Sequence, residues 1–472
     1  MSVPGLVHPE VAMGDDLCIV PGRGREGRVG LEERLRGLAR WTDRAGFALL
    51  VLTIIALLLR PADLVPRLAG APVYQACIAL CMAASLPGLL SRPRLLRGGA
   101  IAALTVMLVP AVALSHLVQL HTWEARAGAV EAAKVCTLFL LTVAIVERPE
   151  QLRVLLLAVA GSVLGMTVLA VLNYHGILDI TALSSVVQRD LSAEDGANIR
   201  RLCGTGIFND PNDYALMLVL CMCVCVYGAG RSRRLGWRAL AWGAFVFLGY
   251  ALALTHSRGG VLSVMAAAGA FVVARLGWRN ALPLAAPLGA LLLAALWGRQ
   301  TELNLSDPND TFQGRMDLWS ASMDVFRAHP ILGIGQGKLV DEIGQVTHNS
   351  FLHAFAEMGL VGGTVFIGAF YLAFRGLSAA RPDDEELARL RPCVLAILVG
   401  YSVGMLALSR CYTAPVQLVL GLATAFLAMA SGRGRALIPR LDLRCVVRVW
   451  SVGVAFLGAT YVFIRVMKNH GG

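Results

Sequence analysis

The feature that most limits how this chain can fold is a series of long apolar runs, each of about 17–25 residues, repeated along its whole length. A helix rises about 1.5 Å per residue, so each run can cross a hydrocarbon core of about 30 Å with its backbone N–H and C=O groups bonded inside its own segment. Thirteen runs are read, over residues 41–59, 68–90, 98–120, 127–146, 154–176, 213–230, 239–255, 261–274, 281–298, 358–374, 392–409, 415–431 and 450–466. With 57% hydrophobic and only 15% charged residues among 472, the chain is too apolar for a water-soluble globule. A transmembrane β-barrel would alternate apolar and polar positions over segments of about ten residues, which continuous runs do not do. The expected fold class is all-α: a polytopic integral membrane protein with about 12–13 transmembrane helices and an external loop carrying short helices.

Residues 1–44 are rich in Gly and Arg and lack the apolar core and small-residue cleavage site of a signal peptide. They are expected to form a disordered cytosolic tail ahead of a transmembrane domain over 45–466, with 467–472 as a short second tail. With the N-terminus inside, Lys and Arg concentrate on the cytoplasmic side, most sharply at Arg92, Arg94 and Arg97, at Arg231, Arg233, Arg234 and Arg238, and between Gly432 and Arg448. The net charge of +11 is therefore chiefly a topology signal. Attraction to the anionic lipid bilayer comes second, and nucleic acid is not expected as a partner. Cys221, Cys223 and Cys225 spread around one helix and read as small core residues rather than metal ligands. Cys203 and Cys411 both fall outside the bilayer, where they could pair.

This topology leaves two sizeable loops, over 177–212 and 299–347, both on the outer face, together with a short outer turn at His256–Gly260. Met316, Trp319, Met323 and Phe326 recur at helical spacing and predict an interfacial amphipathic helix stopped by Pro330. The Gly333–Gly337 stretch then turns into the next helix, with Thr347 or Asn349 as its N-cap. His348 would sit at that helix start, where the positive end of the dipole disfavours imidazolium and leaves a ring able to accept a proton. Arg315, Arg258, Arg200 and Arg201 lie on the same side and are suited to clamping phosphate oxygens. A base beside arginines fits attack by a hydroxyl with departure of a phosphate or diphosphate.

Each of these residues also has a structural reading. An interfacial histidine can simply snorkel, and external arginines commonly meet lipid phosphates. His353 and Glu357, four residues apart, read as a structural pair with an acid/base pair as the alternative. His116, His121, His175, His256 and His329 show no partner pattern. Glu131 and Lys134 are expected to pair across one turn of the fourth span, and they are the best evidence for a transport role.

Taken in order, several segments resemble the signature of the O-antigen ligase and polymerase superfamily. They are Gly314-Arg315 with Trp319, His329-Pro-Ile-Leu-Gly-Ile-Gly335, His348-Asn-Ser-Phe-Leu352 and Glu357-Met-Gly-Leu-Val-Gly362. Upstream, Gly204-Thr-Gly-Ile-Phe-Asn-Asp-Pro-Asn-Asp-Tyr-Ala215 and Ser257-Arg-Gly-Gly260 look like further motifs of that family, so the resemblance spans about 204–363. It implies an inverting glycosyltransferase of a bacterial inner (plasma) membrane, multi-pass and with its active site facing the periplasm, that needs neither metal nor cofactor. The implied partners are a polyprenyl-diphosphate-linked oligosaccharide donor and a saccharide or lipid A-core acceptor. By the same resemblance His348 is the base that activates the acceptor hydroxyl, and Arg315 and Arg258 hold the leaving diphosphate. Arg200 and Arg201 lie in a loop where the family also carries basic residues.

Fixed guanidinium groups can neutralise a leaving diphosphate where other enzymes use a divalent cation, and Asp307 and Asp310 read as turn residues rather than metal ligands. The acceptor can be a growing polysaccharide, a lipid A core or a protein hydroxyl, and extension or ligation of a surface polysaccharide is preferred. The rival is a transporter or flippase of lipid-linked saccharide. It would place charge near the midplane and show repeated halves, whereas here the polar residues gather in outer loops.

Overall fold

A computed structural model describes residues 42–91, 97–183, 185–189, 198–281, 283, 311–431 and 437–470. Twelve apolar helices run through them: α1 (Thr42–Leu59), α2 (Val73–Ser91), α3 (Gly99–Leu117), α4 (Thr122–Ile145), α5 (Pro149–Tyr174), α6 (Pro211–Arg231), α7 (Leu235–Leu254), α8 (Arg258–Leu276), α11 (Ser350–Ala379), α12 (Glu385–Gly404), α13 (Ala414–Ala430) and α14 (Leu443–His470). Between α8 and α11 come an amphipathic helix, α9 (Thr311–Ala328), and a short helix, α10 (Leu339–Ile343). Ten of the twelve are long and apolar enough to cross a membrane, and two are shorter. The all-α polytopic fold is as expected. The run at 281–298, the tail at 1–41 and Asp307 and Asp310 lie outside the described residues. Among the described residues the only strands are β1 (Val186–Arg189) and β2 (Asn198–Arg201), an antiparallel pair in the loop between α5 and α6 with Val187 opposite Arg200 and Val186 opposite Arg201.

Helices α6, α11, α12 and α13 form the densely buried centre, while α7, α8 and α14 are largely exposed on the outside. In lipid, exposed apolar side chains gain nothing by moving inward, so association relies on close packing and on polar ties between helices. One such tie fixes relative direction. Arg391 donates to Ala274 O (3.3 Å), Leu377 O (3.0 Å) and Ser378 O (2.9 Å), capping the C-terminal ends of α8 and α11 together. Both helices therefore start at the opposite end of the bundle.

Helix α11 is broken at Gly359, whose φ of 62° and ψ of −163° only glycine adopts readily. The 360–379 part is about 30 Å long and spans alone, which agrees with the sequence-predicted run beginning at Met358. The break would strand backbone donors in an apolar setting. The preceding loop accepts them: Leu360 N–H donates to Pro330 O (2.7 Å) and Val361 N–H to Ile331 O (3.2 Å), while Gly335 N–H donates back to Glu357 O (2.9 Å). The His329–Gly335 and Glu357–Gly362 motifs are thus two halves of one backbone splice.

A Cβ on Gly359 would fall inside the backbone of Ile331 and Leu332, whereas Gly161 in α5 faces open space. Gly359→Ala is expected to destabilise the protein by at least ~2 kcal/mol. Gly161→Ala should be neutral or slightly stabilising, and thermal unfolding in detergent of both variants checks the contrast.

Candidate active site

At the end of the bundle where α8 and α11 start, the starts of α6, α8, α11 and α13 are capped or tied to a neighbour. Asp210 caps α6 by accepting from Asn212 N–H (2.7 Å). Ser257 caps α8, accepting from Gly260 N–H (3.1 Å) and donating its hydroxyl to Asn212 Oδ1 (2.8 Å). Gly260 lets the start of α8 approach α6, because a Cβ there would lie 2.7 Å from the Cβ of Ala215. Asn349 caps α11 by accepting from Phe351 and Leu352 N–H at 3.1 and 3.2 Å, one of the two caps anticipated. Ser350 then donates to Leu408 O (2.6 Å) and accepts from Arg410 N–H (2.9 Å), which fastens the turn before α13 to the start of α11. Helix N-termini carry partial positive charge and favour anions.

His348 sits immediately before the Asn349 cap with φ 54°, a left-handed conformation that costs a non-glycine residue about 1–3 kcal/mol. Its placement is enforced by its neighbours. Thr347, fully buried, hydrogen-bonds to Ser322 Oγ (2.9 Å) of α9 and to His353 Nδ1 (3.4 Å). His353 Nε2 meets Glu357 Oε1 at 3.1 Å, and that oxygen also accepts from Gly337 N–H (2.8 Å) and Leu339 N–H (3.4 Å). His353 and Glu357 therefore form a buried brace, with Glu357 holding the loop before α10. The His348 ring itself is half-buried and makes no hydrogen bond to the described residues. Burial, then the positive field of Arg315, holds its pKa below the ordinary histidine value, with Asp210 opposing.

The cations around this ring differ in how they are satisfied. Arg315, on α9, is half-buried, and Arg258, the first residue of α8, is exposed; neither forms an ion pair among the described residues. Burial, then the like charges of Arg258 and Arg201, lowers the pKa of Arg315. It still stays charged, as arginine does in proteins. Arg201 is fixed by donation to Thr255 O (2.8 Å) and Asn212 Oδ1 (3.0 Å). Arg200, its neighbour on β2, points the other way as strand alternation requires. It bonds Ser185 Oγ and Tyr174 O (2.9 Å) and lies over the Tyr174 ring. The structure thus gathers His348, Arg315, Arg258 and Arg201 and sets Arg200 apart.

Arg410 and its tie to two carboxylates were not singled out from the sequence. Arg410 donates to Asp213 Oδ2 (2.6 Å) and lies 3.7 Å from Asp210. Burial pulls its pKa down, but these two carboxylates outweigh it and the net direction is up. The Asp-Pro-Asn-Asp spacing at 210–213 was the available signal: Asp210 caps, Asn212 braces Arg201 and Ser257, and Asp213 anchors Arg410. Elsewhere, Cys411 is a free thiol, so Cys203 and Cys411 form no disulfide. Glu131 and Lys134 pair with each other at 2.6 Å on the exposed side of α4, not in the bundle interior. At the opposite end of the bundle Glu386 pairs with Arg231 (2.9 Å) and Arg153 (3.4 Å). Beside His348, Arg315 and Arg258 carry positive charge with no ion pair among the described residues.

The His348 ring should titrate below 6.5, and Arg315→Gln should move that titration upward, read by NMR of isotope-labelled histidine with His348→Gln for assignment. The folded ring resists a proton that the unfolded chain accepts. The stability this provides is complete above pH 6.5 and falls as pH drops from there toward the folded value.

The comparison with curated proteins gives no match. Residues 243–367, roughly a quarter of the chain, match the family model described as O-antigen ligase. The matched segment runs from α7 into α11 and contains Arg258, Arg315 and His348, so this part of the chain is similar to the O-antigen ligase family.

Proposed function

We propose that the protein is a glycosyltransferase of a bacterial inner membrane. In this reading it moves saccharide from a polyprenyl-diphosphate-linked donor to an acceptor hydroxyl at the periplasmic face, with no metal or cofactor. The observation that carries the reading is the pairing of two arginines with no ion pair among the described residues, Arg315 and Arg258, with a half-buried histidine whose pKa is held down beside them. A site built to bind a dianionic leaving group must leave cations unpaired until the ligand arrives.

In the proposed reaction the acceptor oxygen attacks the anomeric carbon from the face opposite the diphosphate. The new C–O bond forms as the bond from that carbon to the diphosphate oxygen breaks, so configuration inverts. The hydroxyl proton passes to the neutral ring of His348, and the electron pair of the broken bond leaves on the diphosphate. Arg315 and Arg258 stabilise that charge, with the starts of α6, α8 and α11 contributing their dipoles. Arg201 has fewer free donors and is assigned a supporting part, as is Arg410 through Asp213. Arg200 was grouped with the diphosphate-binding residues on sequence grounds; turned toward Tyr174, it is assigned the smallest part.

The donor is the one the family resemblance implies, and the positive-inside bias supports the outer face for the end that carries His348. The acceptor proposed is a growing surface polysaccharide or a lipid A core, with a protein hydroxyl as the alternative within the same chemistry.

Purified protein given a polyprenyl-diphosphate oligosaccharide and each acceptor in turn should form a glycosidic bond. His348→Ala is expected to slow turnover by about 10²–10⁴, and Arg315→Ala by about 10²–10³. Arg258→Ala should mainly raise the KM for the donor, and Arg200→Ala should change either constant by less than about threefold. Unaltered turnover in both His348→Ala and Arg315→Ala overturns the site. Transbilayer movement of saccharide without bond formation overturns the reaction class. EDTA should leave the rate unchanged; restoration by magnesium after a loss would contradict metal independence.

A further inference from the structure

The C-terminal parts of α9 and α14 line a cavity of about 240 Å³. It lies on a different side of α9 from Arg315: at about 100° per residue, Arg327 and Asp324 stand about 120° and 180° around the helix from that residue. Arg327 and Asp324 of α9 and Tyr461, Arg465 and Lys468 of α14 line it. Both guanidinium groups lie against the Tyr461 ring, 4.7 and 5.3 Å from its centre. Like charges gathered on one ring repel unless an anion joins them. Asp324 lies 3.0 Å from Arg327 and Asp317 3.3 Å from Lys468, while Arg465 makes no ion pair among the described residues.

Next to the cavity the same stretch of α14 exposes Val462, Phe463 and Val466 on a helix that is mostly unburied. A cationic recess beside a lipid-exposed apolar face matches an amphiphile with an anionic head. The volume suits a headgroup and not a whole lipid or a nucleotide-sized ligand.

We propose that this recess binds the phosphate headgroup of an anionic membrane lipid, with Arg327, Arg465 and Lys468 on the phosphate oxygens and the acyl chains along Val462 and Val466. Two planar guanidinium groups and an ammonium supply donors to several oxygens at once. Asp324 competes with the ligand for Arg327, so it sets the affinity from the opposite direction.

The test uses the full chain in detergent with Arg258→Gln and Arg315→Gln as background, which removes the contribution of the diphosphate site proposed above. The probes are short-chain phosphatidic acid, phosphatidylcholine of the same chain length and inorganic phosphate, titrated by a fluorescence or thermophoretic readout. Phosphatidic acid should bind, phosphatidylcholine should bind at least about tenfold more weakly, and so should inorganic phosphate, which lacks chains. Arg465→Gln and Arg327→Gln should each weaken phosphatidic acid binding about tenfold, while Asp324→Asn should tighten it. Because Asp324→Asn moves affinity the other way, general loss of fold cannot imitate the pattern. Equal binding of phosphatidic acid and phosphatidylcholine, or unchanged affinity in the arginine variants, overturns the site. Inorganic phosphate binding as tightly as phosphatidic acid overturns its assignment to a lipid.

Discussion

Uncompensated positive charge at one end of an apolar bundle is the constraint around which this structure is arranged. Arg315 and Arg258 repel each other and have no carboxylate among the described residues to offset that repulsion. They are held in place by ties at the helix starts: Asn212 joins Ser257, the cap just before Arg258, and Ser322 of α9, the helix carrying Arg315, meets Thr347 beside His348. Ser257 shows how little this takes: as the cap of α8 it accepts from Gly260 N–H and donates to Asn212 Oδ1, so one hydroxyl both starts a helix and sets its distance from the next. The left-handed backbone of His348 is part of the same economy of space, since Thr347 on one side and Asn349 on the other are both buried and bonded.

The broken helix supports this end from beneath. Gly359 frees backbone donors, the loop after α9 accepts them, and Glu357 holds that loop to His353. Rigid-body placement of α9, and with it Arg315, thus depends on residues that touch no substrate in the proposed reaction. The apolar spans contribute position and exclusion of water. Polar atoms at five or six helix ends contribute the geometry.

Much of the fold was legible in the sequence because a transmembrane helix is written as a long apolar run, and all twelve apolar helices fall on such runs. Length and hydropathy locate a helix but carry no record of which face meets a neighbour. For that reason Arg200 and Arg201 were indistinguishable until β2 was seen to turn them to opposite sides. Arg410 lay in a turn of a few residues between two spans, where one arginine looks like any external cation; its tie to Asp213 joins positions 197 residues apart. The Gly333–Gly335 and Glu357–Gly362 segments were conspicuous as motifs, yet their part is the backbone splice, which only the pairing of N–H and C=O groups reveals. The Asn349 cap was readable because capping is local, decided within three residues.

The most direct measurement for this account is equilibrium binding of a polyprenyl diphosphate carrying no sugar, followed across a range of salt concentrations in the intact protein and in Arg315→Gln. If the unpaired guanidinium groups exist to hold the leaving diphosphate, the variant binds at least about tenfold more weakly and its affinity falls less steeply with salt. Equal affinity with an equal salt slope would show that Arg315 holds no diphosphate, and the account of the site would fail with it.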